Sequence, residues 1–231
     1  NTSSYTFRTN EAGTISYSGS CSSSDNTTAV ADENISITFN ELADGTYSNC
    51  AVRVTDNASN VGSLSVSTFV IDTTAPTLSE VTAVSTPTSD NTPNYVFSSN
   101  EAGVITYGGA CGSSSSSAAT SGDNTVTLTQ PDNSTPLTDG TYSNCYIYVT
   151  DNATNQSNIR VRGWTQAGSY ANYYFTVGAT KPALLEITPV PTSSNDNTST
   201  YTFYSTLPGT INYSGGCDSD NDTTALADNN T

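Results

Sequence analysis

The side chains that could do chemistry in this 231-residue chain are carboxylates and cysteines, because histidine is absent. The chain has 5 Cys and 21 Asp and Glu, and its 5 basic residues include a single lysine, Lys181. Without imidazole there is no Ser-His-Asp or Cys-His pair and no histidine metal ligand, and one lysine leaves little scope for Schiff-base chemistry. The acidic residues stand in turn-like segments, and the sequence places no pair of carboxylates at a hydrolase separation. We therefore expect no enzymatic activity and no required cofactor.

The net charge sets the partners that the chain can bind. A formal charge of −16 opposes binding to DNA or to an anionic membrane, because phosphates must be neutralised by Lys and Arg. No run of about 18 apolar residues is present to cross a bilayer. We expect neither a nucleic-acid partner nor membrane insertion.

The elements that position these side chains recur along the chain. Residues 1–35 align without a gap to residues 197–231 with 20 identities, and a middle copy begins at Asn91, so that successive copies are 90 and 106 residues long. We predict a first copy at 1–74 that lacks its first strand, a complete copy at 75–180, and the N-terminal half of a third copy at 181–231. Two explanations remain open: the chain is a window on a longer repetitive protein, or incomplete copies on neighbouring chains complete each other by strand donation.

Each copy has the pattern of an antiparallel β-domain. Short alternating runs of Val, Ile, Leu, Tyr and Phe are separated every 8 to 12 residues by Asn, Asp, Gly and Pro. The spacing suits a sandwich of the immunoglobulin size, about 100 residues. The sequence therefore predicts an all-β fold of tandem immunoglobulin-like sandwiches. In the middle copy we expect strands near 78–85, 94–99, 103–108, 124–129, 142–150 and 173–177.

The repeat explains the odd number of cysteines. Cys21 and Cys50 are 29 residues apart, Cys111 and Cys145 are 34 apart, and Cys217 stands at the Cys21 position, so its partner would follow Thr231. A thiolate metal site needs closer spacing or histidine. We predict the disulfides Cys21–Cys50 and Cys111–Cys145, and hence a location outside the cytoplasm.

Two repeated motifs point to a family. Asp-Gly-Thr-Tyr, which ends at Tyr47 and at Tyr142, predicts a tyrosine corner whose hydroxyl bonds to upstream backbone. Together with Val-Thr-Asp-x-Ala-x-Asn and with the segment 69–76, Phe-Val-Ile-Asp-Thr-Thr-Ala-Pro, it resembles the bacterial immunoglobulin-like repeats of very large secreted surface proteins. The resemblance covers essentially the whole chain, except that residues 178–182 replace the Asp-Thr-Thr-Ala-Pro exit.

The resemblance implies a stalk whose linkers are stiffened by Ca²⁺. In a head-to-tail array Asp72, Glu101 and Asp151 would converge at the first junction. At the second junction Gly178 and Leu207 replace two of these positions, so a metal site is expected only at the first. The alternative is that these are ordinary solvated turn acids.

An insertion in the middle copy carries a different composition. It gathers cationic and aromatic side chains, the residue types that dominate interface hot spots: Arg160, Arg162, Trp164, Tyr170, Tyr173 and Tyr174. The insertion either contacts another subunit or folds over its own sandwich as a long hairpin.

These features favour a mechanical function. We expect a structural protein, an extracellular rod that forms or extends from a microbial surface filament, with copies of itself or adjoining repeats as partners. The alternative is an adhesin stalk or a surface module that binds glycans, cells or ice.

Overall fold

The computed structural model describes residues 3–115, 117–165, 170–171, 173–193, 195–216, 219 and 223–231. These residues form strands and turns and no helix, so none of them belongs to a helix long and apolar enough to span a membrane. The chain is all-β, as the alternating pattern predicts.

The strands are numbered here in chain order. The first copy contains β1 (Ser4–Arg8), β2 (Gly13–Ser18), β3 (Thr28–Ala29), β4 (Asn34–Thr38), β5 (Gly45–Tyr47), β6 (Ala51–Thr55), β7 (Val61–Ser65) and β8 (Phe69–Ile71). The second contains β9 (Leu78–Thr82), β10 (Val84–Thr86), β11 (Asn94–Ser99), β12 (Gly103–Gly108), β13 (Gly112–Ser113), β14 (Ala118–Ala119), β15 (Gly122–Thr129), β16 (Gly140–Tyr142), β17 (Tyr146–Thr150), β18 (Gln156–Arg160), β19 (Gly163–Thr165), β20 (Tyr170–Ala171) and β21 (Phe175–Val177). The third contains β22 (Leu184–Thr188), β23 (Thr202–Ser205), β24 (Gly209–Thr210), β25 (Thr224–Ala225) and β26 (Asn229–Asn230).

The second copy is built on two four-stranded sheets. One has the order β13-β15-β11-β9 and the other β14-β12-β17-β18, with antiparallel neighbours throughout. Alternate side chains of β11, Tyr95 and Phe97, are buried in one cluster with Ile147 and Val149 of β17. The two sheets therefore face each other across a shared core, which places the copy in the β-sandwich class.

The first copy repeats this arrangement around a core of its own. β1 pairs with β4, and a second sheet has the order β3-β2-β6-β7. Phe7 and Ile37 from the first sheet pack in one cluster with Ile15 and Val52 from the second. This cluster is distinct from that of the second copy, so each copy has its own hydrophobic driving force for folding.

The third copy has sheets but little core. Its strands form a β22-β23-β26 sheet and a β24-β25 pair. Among its described residues, Ala225 is the sole buried hydrophobic side chain. Leu184, Leu185 and Leu226 are all more than 60% exposed. Pairing in this copy therefore rests on backbone hydrogen bonds more than on burial.

Two predicted strands of the second copy are divided in the structure. The strand expected at 142–150 breaks into β16, which pairs with β21, and β17, which pairs with β12 and β18. The strand expected at 78–85 breaks into β9 and β10, which belong to different sheets. The predicted spans were wrong here because side-chain alternation reports which residues are buried and carries no information on which sheet each half joins.

Candidate functional site

Both predicted cysteine pairs are joined by disulfide bonds. The Cα atoms are 5.3 Å apart in Cys21–Cys50 and 5.1 Å apart in Cys111–Cys145, and all four cysteines are buried. Disulfides persist where thiols are not kept reduced, so the pairs indicate a non-reducing environment. Cys217, whose partner was expected beyond the chain, lies outside the described residues.

A glycine two residues before the first cysteine of each pair has a steric role. Gly109 has φ +80°, and a Cβ there would lie 1.6 Å from the carbonyl oxygen of Asn144. Gly19 has the equivalent conformation against Asn49. The turn before Cys111 thus lies directly on the residue preceding Cys145, which explains the repeated Gly-x-Cys spacing.

The two tyrosines of the Asp-Gly-Thr-Tyr motifs make the hydrogen bond of a tyrosine corner. The Tyr47 hydroxyl donates to the carbonyl of Ala43, and the Tyr142 hydroxyl donates to the carbonyl of Thr138, each at 2.8 Å. The Tyr142 ring stacks on Phe175, with ring centroids 5.2 Å apart. These contacts hold β5 on β8 and β16 on β21, so their role is structural.

The aspartate of the same motif holds the linker, a role that the sequence analysis missed. Asp44 accepts hydrogen bonds from the Thr73 amide at 3.0 Å, the Thr73 hydroxyl at 2.8 Å and the Thr74 hydroxyl at 2.7 Å. Asp139 accepts from the amides of residues 179–180 in the second copy. The recurrence of Asp before Gly in both motifs was the available signal, but the partners lie 29 to 41 residues away.

The hydrogen bonds of Asp44 lead us to expect that the linker is held less stably in acid. The hydroxyls of Thr74 and Thr73 stabilise its ionised form and hold the pKa below the usual 3.8. A carboxyl with a lowered native pKa contributes stability that is fully present above its unfolded pKa and is lost as the pH falls through the native pKa. Asp44→Asn should therefore lower the melting temperature at about pH 6, and the difference from wild type should shrink as the pH falls from 3.8 toward about 2.

Calorimetric melting curves between these pH values test this expectation. Glu33→Gln, a change at an exposed carboxylate away from the linker, serves as the control and should leave the profile unchanged. A deficit for Asp44→Asn that stayed constant across the pH range would show that the charge of Asp44 does not hold the linker.

The three acidic residues expected at the first junction come together. One carboxylate oxygen from each of Asp72, Glu101 and Asp151 lies within 4.8 Å of the others. Asp72 follows β8 of the first copy, Glu101 stands in the β11–β12 turn, and Asp151 follows β17. Glu101 is 29 residues from Asp72 and 50 residues from Asp151 along the chain, so local structure would not bring the three together. The fold of the second copy and the path of the linker place them side by side.

The turn after β17 fixes Asp151. Its carboxylate accepts from the amides of Ala153 at 2.8 Å and Asn155 at 2.9 Å, and from the Asn155 side-chain amide at 3.0 Å. Burial raises the pKa of Asp151, but these donors outweigh it and hold the pKa below its usual value. The same Asn155 amide donates to the backbone carbonyl of Asp72 at 3.1 Å. Asn155, which the sequence analysis did not single out, thus ties the first copy to the second.

The chemistry of the cluster fits a hard divalent cation. Ca²⁺ takes six to eight oxygen ligands, and three carboxylates supply between three and six. Negative charges at this separation repel one another, and a bound cation removes that repulsion. The residues present therefore fit Ca²⁺ at this junction.

The other copies provide two comparisons. Asp56 of the first copy repeats the Asp151 turn, accepting from Ala58 at 2.8 Å and from the Asn60 side chain at 2.9 Å, with Glu11 within hydrogen-bonding reach. At the second junction Gly178 and Leu207 lack carboxylates altogether. The three-carboxylate arrangement is thus specific, among described residues, to the first junction.

The aromatic insertion packs on its own sandwich. β19 pairs in parallel with β10 and antiparallel with β20, the strand that contains Tyr170. The Arg160 guanidinium lies 5.8 Å from the ring centroid of Tyr146 and 5.2 Å from that of Tyr173, and it donates to the Ser143 carbonyl. The Arg162 guanidinium lies 4.5 Å from the Tyr173 centroid. Both arginines thus make cation–π contacts within their own copy.

Part of this insertion faces solvent. Trp164, Tyr173 and Tyr174 are exposed, whereas the side chain of Tyr170 lies outside the described residues. The arrangement agrees with the hairpin alternative, and a subunit contact through these aromatic rings stays a prediction.

No protein-family model matches the chain, and no curated protein sequence matches it.

Proposed function

We propose that this chain is a structural protein, an extracellular rod of tandem immunoglobulin-like sandwiches that forms or extends from a microbial surface filament. Two copies with separate cores follow each other along the chain, and each is cross-linked by a buried disulfide. The acidic surface keeps such rods soluble and apart. Partners are copies of the same chain or adjoining repeats.

The observation that carries the proposal is the way the linker is held on both sides. Asp44 binds the residues directly after β8, and Asn155 binds the carbonyl of Asp72 from the next copy. Five residues after Asp72, the Thr77 amide donates to the Asn100 side chain at 2.6 Å. A linker bonded on both sides restricts rotation of one sandwich against the other, which is the restraint that a rod requires.

Calcium completes this restraint in the proposed mechanism. Ca²⁺ would supply one shared positive centre for carboxylates that belong to the linker and to two turns of the second copy. The carboxylate of Asp151 is oriented by its turn, and that of Asp72 accepts from the Thr74 amide at 3.1 Å, so two of the three ligands are already positioned. Ordering costs little on binding when ligands are positioned beforehand.

The first test of this function is a pair of matched substitutions. Millimolar Ca²⁺ should raise the melting temperature of the wild-type protein, because a ligand that binds only the folded state stabilises it by mass action. Glu101→Gln should lose most of that increase. Glu11→Gln, the same change in the equivalent turn of the first copy, should retain it. Differential scanning calorimetry with Ca²⁺ and with chelator gives the measurement.

Small-angle X-ray scattering on the same samples tests the rod itself. The wild-type protein should give an elongated particle whose maximum dimension is better defined with Ca²⁺. Equal melting temperatures with Ca²⁺ and chelator would remove the metal from the proposal and leave the rod. A compact particle in both conditions would remove the rod.

A further inference from the structure

The outer face of one sheet of the second copy carries two cations among aromatic rings. Arg160 of β18 lies opposite Tyr146 of β17 in the register of the sheet. Beyond β18 the residues at 161 and 163 are buried, so Arg162 and Trp164 lie on the same side of the chain as Arg160. We call this group the Arg–Tyr patch; it consists of Arg160, Arg162, Trp164, Tyr146 and Tyr173.

Tyrosine rings hold both guanidinium groups of the patch. The Arg162 guanidinium lies 4.5 Å from the centroid of Tyr173 and the Arg160 guanidinium lies 5.2 Å from the same centroid. The Nε–H of Arg160 is buried without a hydrogen-bond partner. Two like charges against one ring repel each other, and an anion beside them removes that repulsion. A guanidinium is best matched by a carboxylate, because its fork of N–H donors fits two oxygens.

The patch is open to a partner. Trp164 is 40% exposed and Tyr173 is 47% exposed, and both arginines are partly exposed. Trp, Tyr and Arg are the residue types that contribute most to binding at interfaces. In the first copy, Ala51↔Ser65 stands in the place of the Tyr146↔Arg160 pair. The first copy therefore lacks the patch and provides a comparison within the same chain.

The charge balance of the chain indicates what occupies the patch. The patch contains two of 5 basic residues in a chain with 21 acidic ones. Exposed carboxylates occur in both copies, for example Glu33 in the first and Asp123 in the second. At 0.15 M salt the Debye length is about 8 Å, so long-range repulsion between two acidic chains is screened while charges in direct contact still attract. Another copy of this chain thus offers the complementary charge.

We propose that the Arg–Tyr patch docks on the acidic surface of a second copy of this chain, with the guanidinium groups of Arg160 and Arg162 bound to carboxylates of that copy. The contact deepens the proposed filament function, on which it rests, by naming a surface through which chains associate. A contact of patch with patch would bring four guanidinium groups together. The contact is therefore heterologous, and heterologous contacts that do not close into a ring repeat in an open series.

A charge-matched pair of substitutions tests the cations. In analytical ultracentrifugation at about 0.15 M salt, the mass of the 231-residue chain should rise with concentration from 24.0 kDa through its multiples. Arg162→Gln should raise the dissociation constant about 10- to 100-fold, because a hydrogen bond between charged groups is lost. Arg53→Gln removes the same charge from an exposed position of β6 in the first copy and should associate like the wild type.

A second pair of substitutions tests the aromatic part of the patch. Trp164→Ala should raise the dissociation constant about 10-fold or more, as loss of a buried aromatic contact does. Trp164→Phe keeps an aromatic ring and should retain most of the association. Because the Trp164 side chain is 40% exposed, both variants should keep the wild-type melting temperature, which separates weakened association from misfolding.

The outcomes separate this contact from the rod and from a glycan. A wild-type chain that stays at 24.0 kDa at every concentration, or an Arg162→Gln chain that associates like the wild type, overturns the proposal. Titration with polygalacturonate, followed by Trp164 fluorescence, tests a carboxylated polysaccharide: saturable binding by a chain that stays monomeric would assign the patch to a glycan and overturn the second copy as its occupant. Each of these results leaves the scattering test of the elongated particle unaffected.

Discussion

Replacing Phe97 with alanine should lower the free energy of unfolding of the second copy by about 3 to 5 kcal/mol. The Phe97 ring is 0% exposed and packs in the cluster that joins the two sheets. Its loss removes the transfer free energy of the ring and leaves a cavity that the strands on either side cannot close. Urea denaturation gives the measurement, with fluorescence of the single tryptophan, Trp164, reporting on the second copy.

The repeat supplies two controls for this experiment. Phe203→Ala is the same change at the aligned position of the third copy, where the ring is half-buried and no comparable core exists, so the Trp164 transition should stay within about 0.5 kcal/mol of wild type. Phe7→Ala should destabilise the first copy without moving the Trp164 transition. Equal effects of Phe97→Ala and Phe7→Ala on that transition would show that the two cores unfold as one unit.

Removal of the Cys111–Cys145 disulfide should cost the second copy about 4 kcal/mol. The bond closes a loop with a sequence separation of 34 residues, and on the chain-entropy model a loop of this size stabilises by about that amount, because it restricts the unfolded ensemble. Alanine at both positions is the suitable change, since both cysteines are buried and a serine hydroxyl would need a partner. The Trp164 transition in urea should shift to a lower midpoint.

The remaining cysteines give the controls for the disulfide experiment. Cys217→Ala removes a sulfur that belongs to neither described bond and should leave the transition in place. Alanine at both Cys21 and Cys50 should weaken the first copy alone. An unchanged Trp164 transition in the Cys111→Ala, Cys145→Ala protein would show that the cross-link contributes nothing to the stability of its copy.

Features that a local pattern encodes were predictable from the sequence. The cysteine pairs follow from the repeat, because the first and second copies each carry one pair at similar spacing and Cys217 stands at the Cys21 position. The all-β class follows from alternation, since residues on one face of a strand recur with period two. The meeting of Asp72, Glu101 and Asp151 was expected from the family resemblance, and the structure brings their oxygens within 4.8 Å.

Pairings between distant segments were not predictable in this way. The parallel pairing of β10 with β19 joins segments about 80 residues apart, and nothing in either sequence selects the other. Asn155 acts through an amide with two hydrogens, one for Asp151 and one for the carbonyl of Asp72, 83 residues away. Its sequence context indicates a turn, which accounts for the first bond only.

The Cys111–Cys145 bond also limits how far the second copy can extend when it unfolds under tension. A pull applied at the two ends of the second copy passes through the sulfur bridge and bypasses the loop, whose ends are separated by 34 residues in sequence. At a contour of about 3.3 to 3.6 Å per residue, roughly 120 Å of chain is thereby withheld from stretching. A copy that unfolds under force therefore extends by only part of its full contour length, because the disulfide excludes the enclosed loop from the extension.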